Sequence, residues 1–289
     1  MRARLAERQI AAQDHDTGRG ECFGHGHQQR RAAVGSRAMG EHERVRQSST
    51  GAVQETAHRR LTGRLIDEAF HRAHTAYTVM IMELSFVHRF IPASDPNLKT
   101  TLLALHGTGG DESDLVPLAQ TLAPGAAILS PRGKVLENGM PRFFRRLREG
   151  VFDEQDVIFR ASELAEFVTA GAAKYHFDPA GVVAMGYSNG ANIAAAVILL
   201  HPGVIPRAVL FRPMVPIQPD PPPDLRGAAV FIAAGRLDPI VPQAQTEALA
   251  TLLRECGARV SLHWTDTGHG LTAEELQVAK DWLSRKRAP

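Results

Sequence analysis

From residue 80 onward, short uninterrupted apolar runs recur along the chain. They cover residues 101–105, 126–129, 181–185, 208–211 and 228–233, and a sixth run, residues 259–264, has polar residues interspersed. Such runs are typical of strands that are buried on both faces of a parallel sheet. Residues 82–91 instead alternate between apolar and polar, which predicts a strand near a sheet edge.

Segments in which apolar residues recur at helical spacing separate these runs: residues 111–122, 162–175, 189–200, 243–255 and 272–285. The last segment opens with Thr272 and Glu275, the spacing of a capping box, in which each side chain bonds the other residue's amide. Strand–helix alternation of this kind predicts an α/β fold, a doubly wound and mostly parallel sheet flanked by helices.

Residues 1–79 differ from the rest in composition, with 13 Arg and 9 acidic residues but no Lys and no Pro. Their apolar residues show no sustained helical or strand period. Such a segment can bury too little apolar area to offset the entropy of ordering. We predict a largely disordered, Arg-rich extension over residues 1–79 and one folded domain over residues 80–289. The abrupt change suggests that Met80 or Met82 is the native start. A basic arm for nucleic acid is the alternative.

Composition excludes several functional classes for the folded part. Residues 80–289 carry a small acidic excess, so no nucleic-acid partner is expected. Cys22 and Cys256 are too few for a disulfide framework, which favours a reduced, cytoplasmic protein. No apolar run approaches the ~20 residues that a membrane span needs. The N-terminus lacks the apolar region of a secretory signal. Without an H-E-x-x-H motif or a Cys/His cluster, no metal is expected.

The pentapeptide Gly186-Tyr187-Ser188-Asn189-Gly190 fits the pattern G-x-S-x-G and lies between an apolar run and an Ala-rich helical segment. In this setting the serine occupies a sharp turn between strand and helix, and the glycines are needed because a Cβ would collide across that turn. Ser188 is therefore the predicted nucleophile. A purely structural Gly-Ser turn is the alternative.

A serine hydroxyl needs a base to act as a nucleophile at neutral pH. In proteins with this strand–turn–helix serine, an acid and then a histidine follow it in the chain. Asp238 follows the run 228–233 and His269 follows the run 259–264, so we predict them as acid and base. Asp266 is a rival acid, whereas Asp156 and Asp220 fall in the wrong places. The other histidines of the domain are His106, His176, His201 and His263.

An acyl-transfer site also needs N–H donors for the oxyanion that forms. The amide of Asn189, at the start of a helix, is one predicted donor. The other is the amide of Thr108, in the glycine-rich loop that follows the run 101–105. Phosphate binding is the rival interpretation of this loop, but the loop lacks the lysine and the spacing of nucleotide-binding motifs.

Substrate contacts are predicted where the chain leaves strands at the same sheet edge. Phe143 and Phe144 are candidate pocket walls, with Arg145 as an anion contact, and Phe211 and Arg212 emerge beside the nucleophile. For each of these residues, packing within a loop or a solvated charge is an equally open interpretation.

The segments Leu105-His-Gly-Thr-Gly-Gly-Asp-Glu112, Gly186–Gly190, Gly235-Arg-Leu-Asp-Pro-Ile-Val-Pro242 and Gly268-His-Gly-Leu-Thr272 together resemble the phospholipase/carboxylesterase family, which includes acyl-protein thioesterases and small bacterial carboxylesterases. The resemblance covers about residues 82–287 and implies an α/β-hydrolase fold without a large lid. Asn189 departs from the eukaryotic thioesterases, which have Gln at that position. The bacterial carboxylesterases are therefore more similar.

The resemblance implies a serine carboxylesterase that uses no cofactor and cleaves small or medium acyl esters through an acyl-enzyme. A thioesterase or acyltransferase with the same Ser188–His269–Asp238 triad is the alternative function. A non-catalytic binding protein on this fold is another alternative. Esterases of this size often dimerise, so a homodimer stays open.

Overall fold

The computed structural model describes residues 84–285. The strands are β1 His88–Ile91, β2 Thr101–Leu105, β3 Ala127–Pro131, β4 Val135–Glu137, β5 Met140–Arg142, β6 Arg146–Arg148, β7 Val151–Phe152, β8 Val182–Tyr187, β9 Arg207–Phe211, β10 Ala229–Gly235 and β11 Arg259–Thr265. The helices are α1 Val116–Leu122, α2 Glu154–Tyr175, α3 Asn189–Leu200, α4 Gln243–Glu255 and α5 Ala273–Ser284. A 3-10 turn spans Pro179–Gly181.

Among the described residues, seven strands form one sheet in the order β1-β3-β2-β8-β9-β10-β11. Only the edge strand β1 runs antiparallel to its neighbour, and the other pairs are parallel. Every residue of the inner strands β2 and β3 is buried, as their mostly apolar sequences lead one to expect. The predicted doubly wound α/β sheet is confirmed, and β8 lies near its centre.

Helices cover both faces of the sheet. One core cluster joins the sheet to α2, α3 and α4, and the other joins it to α1 and α5. The predicted capping box of α5 is present, because Thr272 Oγ1 accepts from the Glu275 amide and the Glu275 carboxylate accepts from the Thr272 amide. This box fixes where α5 begins, directly after the loop that carries His269.

Two helices have other bounds than the periodicity predicts. Helix α1 begins only at Val116, because Asp111 accepts the Ser113 amide at 2.7 Å and holds the preceding residues in a turn. Helix α2 begins eight residues before the predicted start, at Glu154, since the Asp153 side chain caps it by accepting the Asp156 amide.

The loop after β3 folds into two short hairpins, β4–β5 and β6–β7, which lead into α2. Residues 84–285 contain no inserted helical lid. None of the helices within that range is long and apolar enough to cross a bilayer.

Several predictions concern residues that the structure does not describe. The extension over residues 1–79, the start at Met80 or Met82 and the state of Cys22 lie outside the described range. Cys256 is described and is a buried free thiol.

Candidate active site

Ser188 lies on a strained turn between β8 and α3. Its backbone dihedrals are φ 52° and ψ −114°, a region that residues other than glycine rarely adopt. The turn is tight enough that a methyl group on Gly190 would overlap the carbonyl of Leu105, and one on Gly186 would overlap the backbone of Gly190. The two glycines thus permit the turn that exposes the serine side chain.

His269 bridges Ser188 and Asp238 by two hydrogen bonds. Its Nε2 lies 3.1 Å from Ser188 Oγ, and its Nδ1 lies 2.8 Å from Asp238 Oδ2. Because a carboxylate can only accept, Nδ1 carries the proton and Nε2 is left to accept from the serine hydroxyl. This arrangement is the one a base needs in order to remove the serine proton.

Asp238 is held as an anion although its side chain is almost wholly buried. Burial tends to raise the pKa of this carboxyl, but the hydrogen bonds that it accepts, first of all from His269, outweigh burial. The amides of Ile240 and Val241 also donate to Oδ1, at 2.8 and 3.1 Å. The net effect is a pKa below the ordinary value for an aspartate, so the acid is ionised at neutral pH.

The rival acid Asp266 points away from the site. Its side chain is 84% exposed and pairs with Arg236 at 3.3 Å. His176 and His201 lie at the carboxyl ends of α2 and α3, remote from Asp238 in the fold. The geometry therefore groups Asp238 and His269 with Ser188, and it leaves the alternatives outside the group.

The glycine-rich loop after β2 lies beside the serine turn and is braced by hairpin β4–β5. The Gly109 amide donates to the Pro141 carbonyl at 2.9 Å, and the Arg142 guanidinium donates to Thr108 Oγ1 at 2.7 Å. Asn189 is the first residue of α3, so its amide belongs to the helix turn that has no intrahelical acceptor. Both predicted oxyanion donors are thus on rigid, neighbouring segments.

His106 is a buried residue whose role the sequence left unassigned. Its Nδ1 donates to the Gly107 carbonyl at 2.7 Å, and its Nε2 accepts the Gly133 amide at 2.9 Å. Burial lowers the pKa of the imidazole, which keeps this tautomer neutral. His106 therefore ties the glycine-rich loop to the chain that follows β3.

Most of the predicted pocket residues are interior. Phe144 and Phe211 are fully buried in the two core clusters, and Phe143 is buried against the His106 ring. These aromatic rings therefore belong to the core and do not form an open pocket wall, since burial of their apolar surface stabilises the fold.

The two predicted arginines also have other partners. Arg145 is exposed but pairs with Asp153 at 3.0 Å, and its amide donates to Asp156 at the start of α2. Arg212 is fully buried and pairs with Glu275, so it is not an exposed substrate contact. No three His, Cys, Asp or Glu side chains in residues 84–285 are placed to hold a metal ion together.

Comparisons with known proteins identify the family to which the chain is similar. The family model for "Phospholipase/Carboxylesterase" matches residues 87–286. The "Putative hydrolase MhqD" of Bacillus subtilis (strain 168) is 49% identical over 181 residues, which are 63% of this chain and 90% of that protein.

Two solved structures are similar over most of their length. A Bacillus cereus carboxylesterase is 49% identical with a TM-score of 0.67, and the match covers 72% of this chain and 96% of that one. A carboxylesterase from Mesorhizobium loti is 32% identical with a TM-score of 0.65, over 71% and 97% of the two chains.

Proposed function

Because this chain belongs to the phospholipase/carboxylesterase family of α/β-hydrolases and is a hydrolase of ester bonds, we propose that it cleaves small and medium acyl esters through Ser188, His269 and Asp238. The observation that carries the proposal is the unbroken hydrogen-bonded chain from Ser188 Oγ through the imidazole to a buried carboxylate. The reaction is proposed to pass through an acyl-enzyme and to need no cofactor.

In the first half-reaction, Ser188 Oγ attacks the ester carbonyl carbon while His269 Nε2 takes up the serine proton. Asp238 stabilises the imidazolium that forms. The carbonyl oxygen becomes an oxyanion, for which the amides of Asn189 and Thr108 are the proposed donors. Each such donor is worth roughly 100- to 1000-fold in rate. Collapse breaks the bond to the alcohol oxygen, which leaves with the proton from His269.

In the second half-reaction, a water molecule takes the place of the alcohol. His269 Nε2 accepts one water proton as the oxygen attacks the acyl carbon, and the same pair of amides receives the oxyanion. Collapse then breaks the acyl bond to Ser188 Oγ, and the imidazolium returns its proton to that oxygen. The products are a carboxylic acid and the free enzyme, so atoms and protons balance.

Apolar side chains around the site support an acyl ester as the substrate class. Leu237 and Ile240 flank Asp238 in the chain and are 70% and 38% exposed. The partly exposed Met140 lies against Gly109 in the glycine-rich loop. Such apolar surface suits an acyl chain, whose burial contributes roughly 0.8 kcal/mol per methylene.

The test is hydrolysis of p-nitrophenyl acetate, butyrate and octanoate by the full chain, beside its Ser188→Ala variant. Ser162→Ala is a matched control, because Ser162 Oγ also lies 3.1 Å from a histidine nitrogen, that of His201, but remote from the site. We expect activity to vanish in the first variant and to persist in the second. A fluorophosphonate adduct on Ser188, located by mass spectrometry, would support the acyl-enzyme. A folded chain that is inactive on all three esters and unlabelled would refute the proposal.

A further inference from the structure

Arg212 stands at the point where β9 ends beside the serine turn. Its φ of 56° lies in the left-handed region, and its amide donates to the Ala233 carbonyl at 2.9 Å. The preceding carbonyl, that of Phe211, accepts the Ser188 amide at 2.9 Å. This turn therefore connects the backbone of the nucleophile to β10, which leads to Asp238, and it directs the Arg212 side chain inward.

The buried guanidinium of Arg212 holds the loop on both sides of His269. Nε donates to the Gly268 carbonyl at 3.0 Å, and Nη2 donates to the Gly270 carbonyl at 2.6 Å. Nη2 also lies 3.1 Å from Thr267 Oγ1. The two residues that flank His269 in the chain are thus fixed by one planar group, whose donors have a rigid geometry.

Glu275 supplies the opposite charge and connects the same loop to α5. Its carboxylate oxygens lie 2.5 and 3.1 Å from Arg212 Nη1 and Nη2, and both side chains are fully buried. The carboxylate also accepts from Thr265 Oγ1 and from Thr272. The ends of the loop that carries His269 therefore meet at this ion pair.

Stability alone accounts poorly for such a pair, since a buried ion pair is often matched by apolar side chains of similar volume. An apolar side chain at position 212 would leave the Gly268 and Gly270 carbonyls without these donors, and the loop would lose its fixed path. Arg212 Nε also lies 3.8 Å from Asp238 Oδ2. The same cation is thus near the acid of the triad and bonded to the loop of the base.

We propose that Arg212 is a positioning residue that holds His269 within reach of both Ser188 and Asp238. The inference rests on the proposed function and adds a fourth side chain to it. Because the Arg212 side chain is fully buried, its loss is expected to lower kcat and to leave KM nearly unchanged. A displacement of about 1 Å at a reacting group costs on the order of 100-fold in rate.

The test compares Arg212→Ala with Arg207→Ala in the full chain, using p-nitrophenyl butyrate. Arg207 is a matched control, because it lies on the same strand and donates to two carbonyls of α5, those of Trp282 and Leu283. We expect kcat to fall roughly 100-fold in Arg212→Ala with KM within about threefold. In Arg207→Ala we expect a smaller loss of thermal stability, because no buried charge is left unpaired, and kcat within about threefold of wild type.

Chemical rescue separates positioning from folding. Low millimolar guanidinium, which fits the space left in Arg212→Ala, is expected to restore kcat at least about tenfold, whereas methylammonium is not. If Arg212→Ala does not fold, Arg212→Lys serves instead, because its single ammonium cannot reach all of the acceptors, and kcat should fall at least about tenfold.

A folded Arg212 variant with wild-type kcat would overturn the inference, as would a loss of kcat that merely follows the loss of stability in both arginine variants. Neither result would touch the proposed function, which fails only if the wild-type chain lacks esterase activity and Ser188 is not labelled by a fluorophosphonate.

Discussion

The Tyr187 hydroxyl donates a hydrogen bond to the backbone carbonyl of His269 at 3.1 Å. The residue that precedes the proposed nucleophile thus contacts the residue proposed as its base. The Tyr187 ring also lies against Gly107, so it lies between the two loops that form the site. Tyr187 therefore contacts both the loop of the proposed base, His269, and the glycine-rich loop of the proposed oxyanion donor.

The first prediction is that Tyr187→Phe lowers kcat by about three- to tenfold, the net value of one hydrogen bond. Burial raises the pKa of Tyr187 to about 12, so the phenol remains a donor across the working range of the enzyme. We therefore expect the wild-type to variant ratio of kcat to stay constant from pH 7 to pH 10. A ratio that declines toward one above pH 8 would contradict this account of the hydroxyl.

The second prediction concerns the acid. Asp238→Asn is expected to lower kcat by roughly 10³- to 10⁴-fold, because the amide can donate to His269 Nδ1 and hold the ring in the wrong tautomer. Asp266→Asn is the matched control, since this acid lies three residues before His269 but pairs with Arg236. We expect its kcat within about twofold of wild type. If kcat fell equally in the two variants, the result would not assign Asp238 as the acid of the triad.

The third prediction is that Gly190→Ala destabilises the fold, although alanine is the better helix former by about 1 kcal/mol. The added methyl group would overlap the backbone carbonyl of Leu105, which cannot move without shifting β2. We expect a loss of at least about 2 kcal/mol in the free energy of unfolding by urea. Gly270→Ala is the control, because open space surrounds that position. A Gly190→Ala protein as stable as this control would show that the turn is looser than described.

The meeting of the three triad side chains could be predicted from the sequence. Ser188 follows β8, Asp238 follows β10 and His269 follows β11, and the carboxyl ends of parallel strands share one edge of the sheet. Chain order and strand ends were therefore enough to group them, while the catalytic roles of these residues remain predictions.

The buried environment of Arg212 could not be predicted in the same way. Arginine is rarely buried without a partner, and its partner Glu275 lies 63 residues further along the chain. The periodicity of a sequence indicates which face of a helix or strand is apolar. It does not indicate which charged residue, distant in the chain, pairs with a residue of that element. Phe144 illustrates the same limit, because it packs against Phe152 of hairpin β6–β7, a contact that its own neighbours in the chain do not predict.

The fourth prediction concerns stability at acid pH and His106. Burial lowers its pKa below the ordinary value of 6.5, so the unfolded chain binds a proton there at higher pH than the folded chain. The stabilisation that comes from neutral His106 is therefore fully present above pH 6.5 and is lost as the pH falls below that value, toward the lower pKa of the folded state. Protonation would also abolish the acceptor that Nε2 offers to the Gly133 amide.

The measurement is urea unfolding at pH 7.5 and pH 5.5 for wild type, His106→Gln and His176→Asn. Wild type is expected to lose stability between the two values, and His106→Gln, though less stable at pH 7.5, should lose less. His176→Asn is the matched control, because His176 is exposed at the end of α2 in a left-handed conformation that Asn also adopts. His176→Asn should lose as much stability between pH 7.5 and pH 5.5 as wild type does. If His106→Gln lost as much stability as wild type, the acid sensitivity would have to arise at another group.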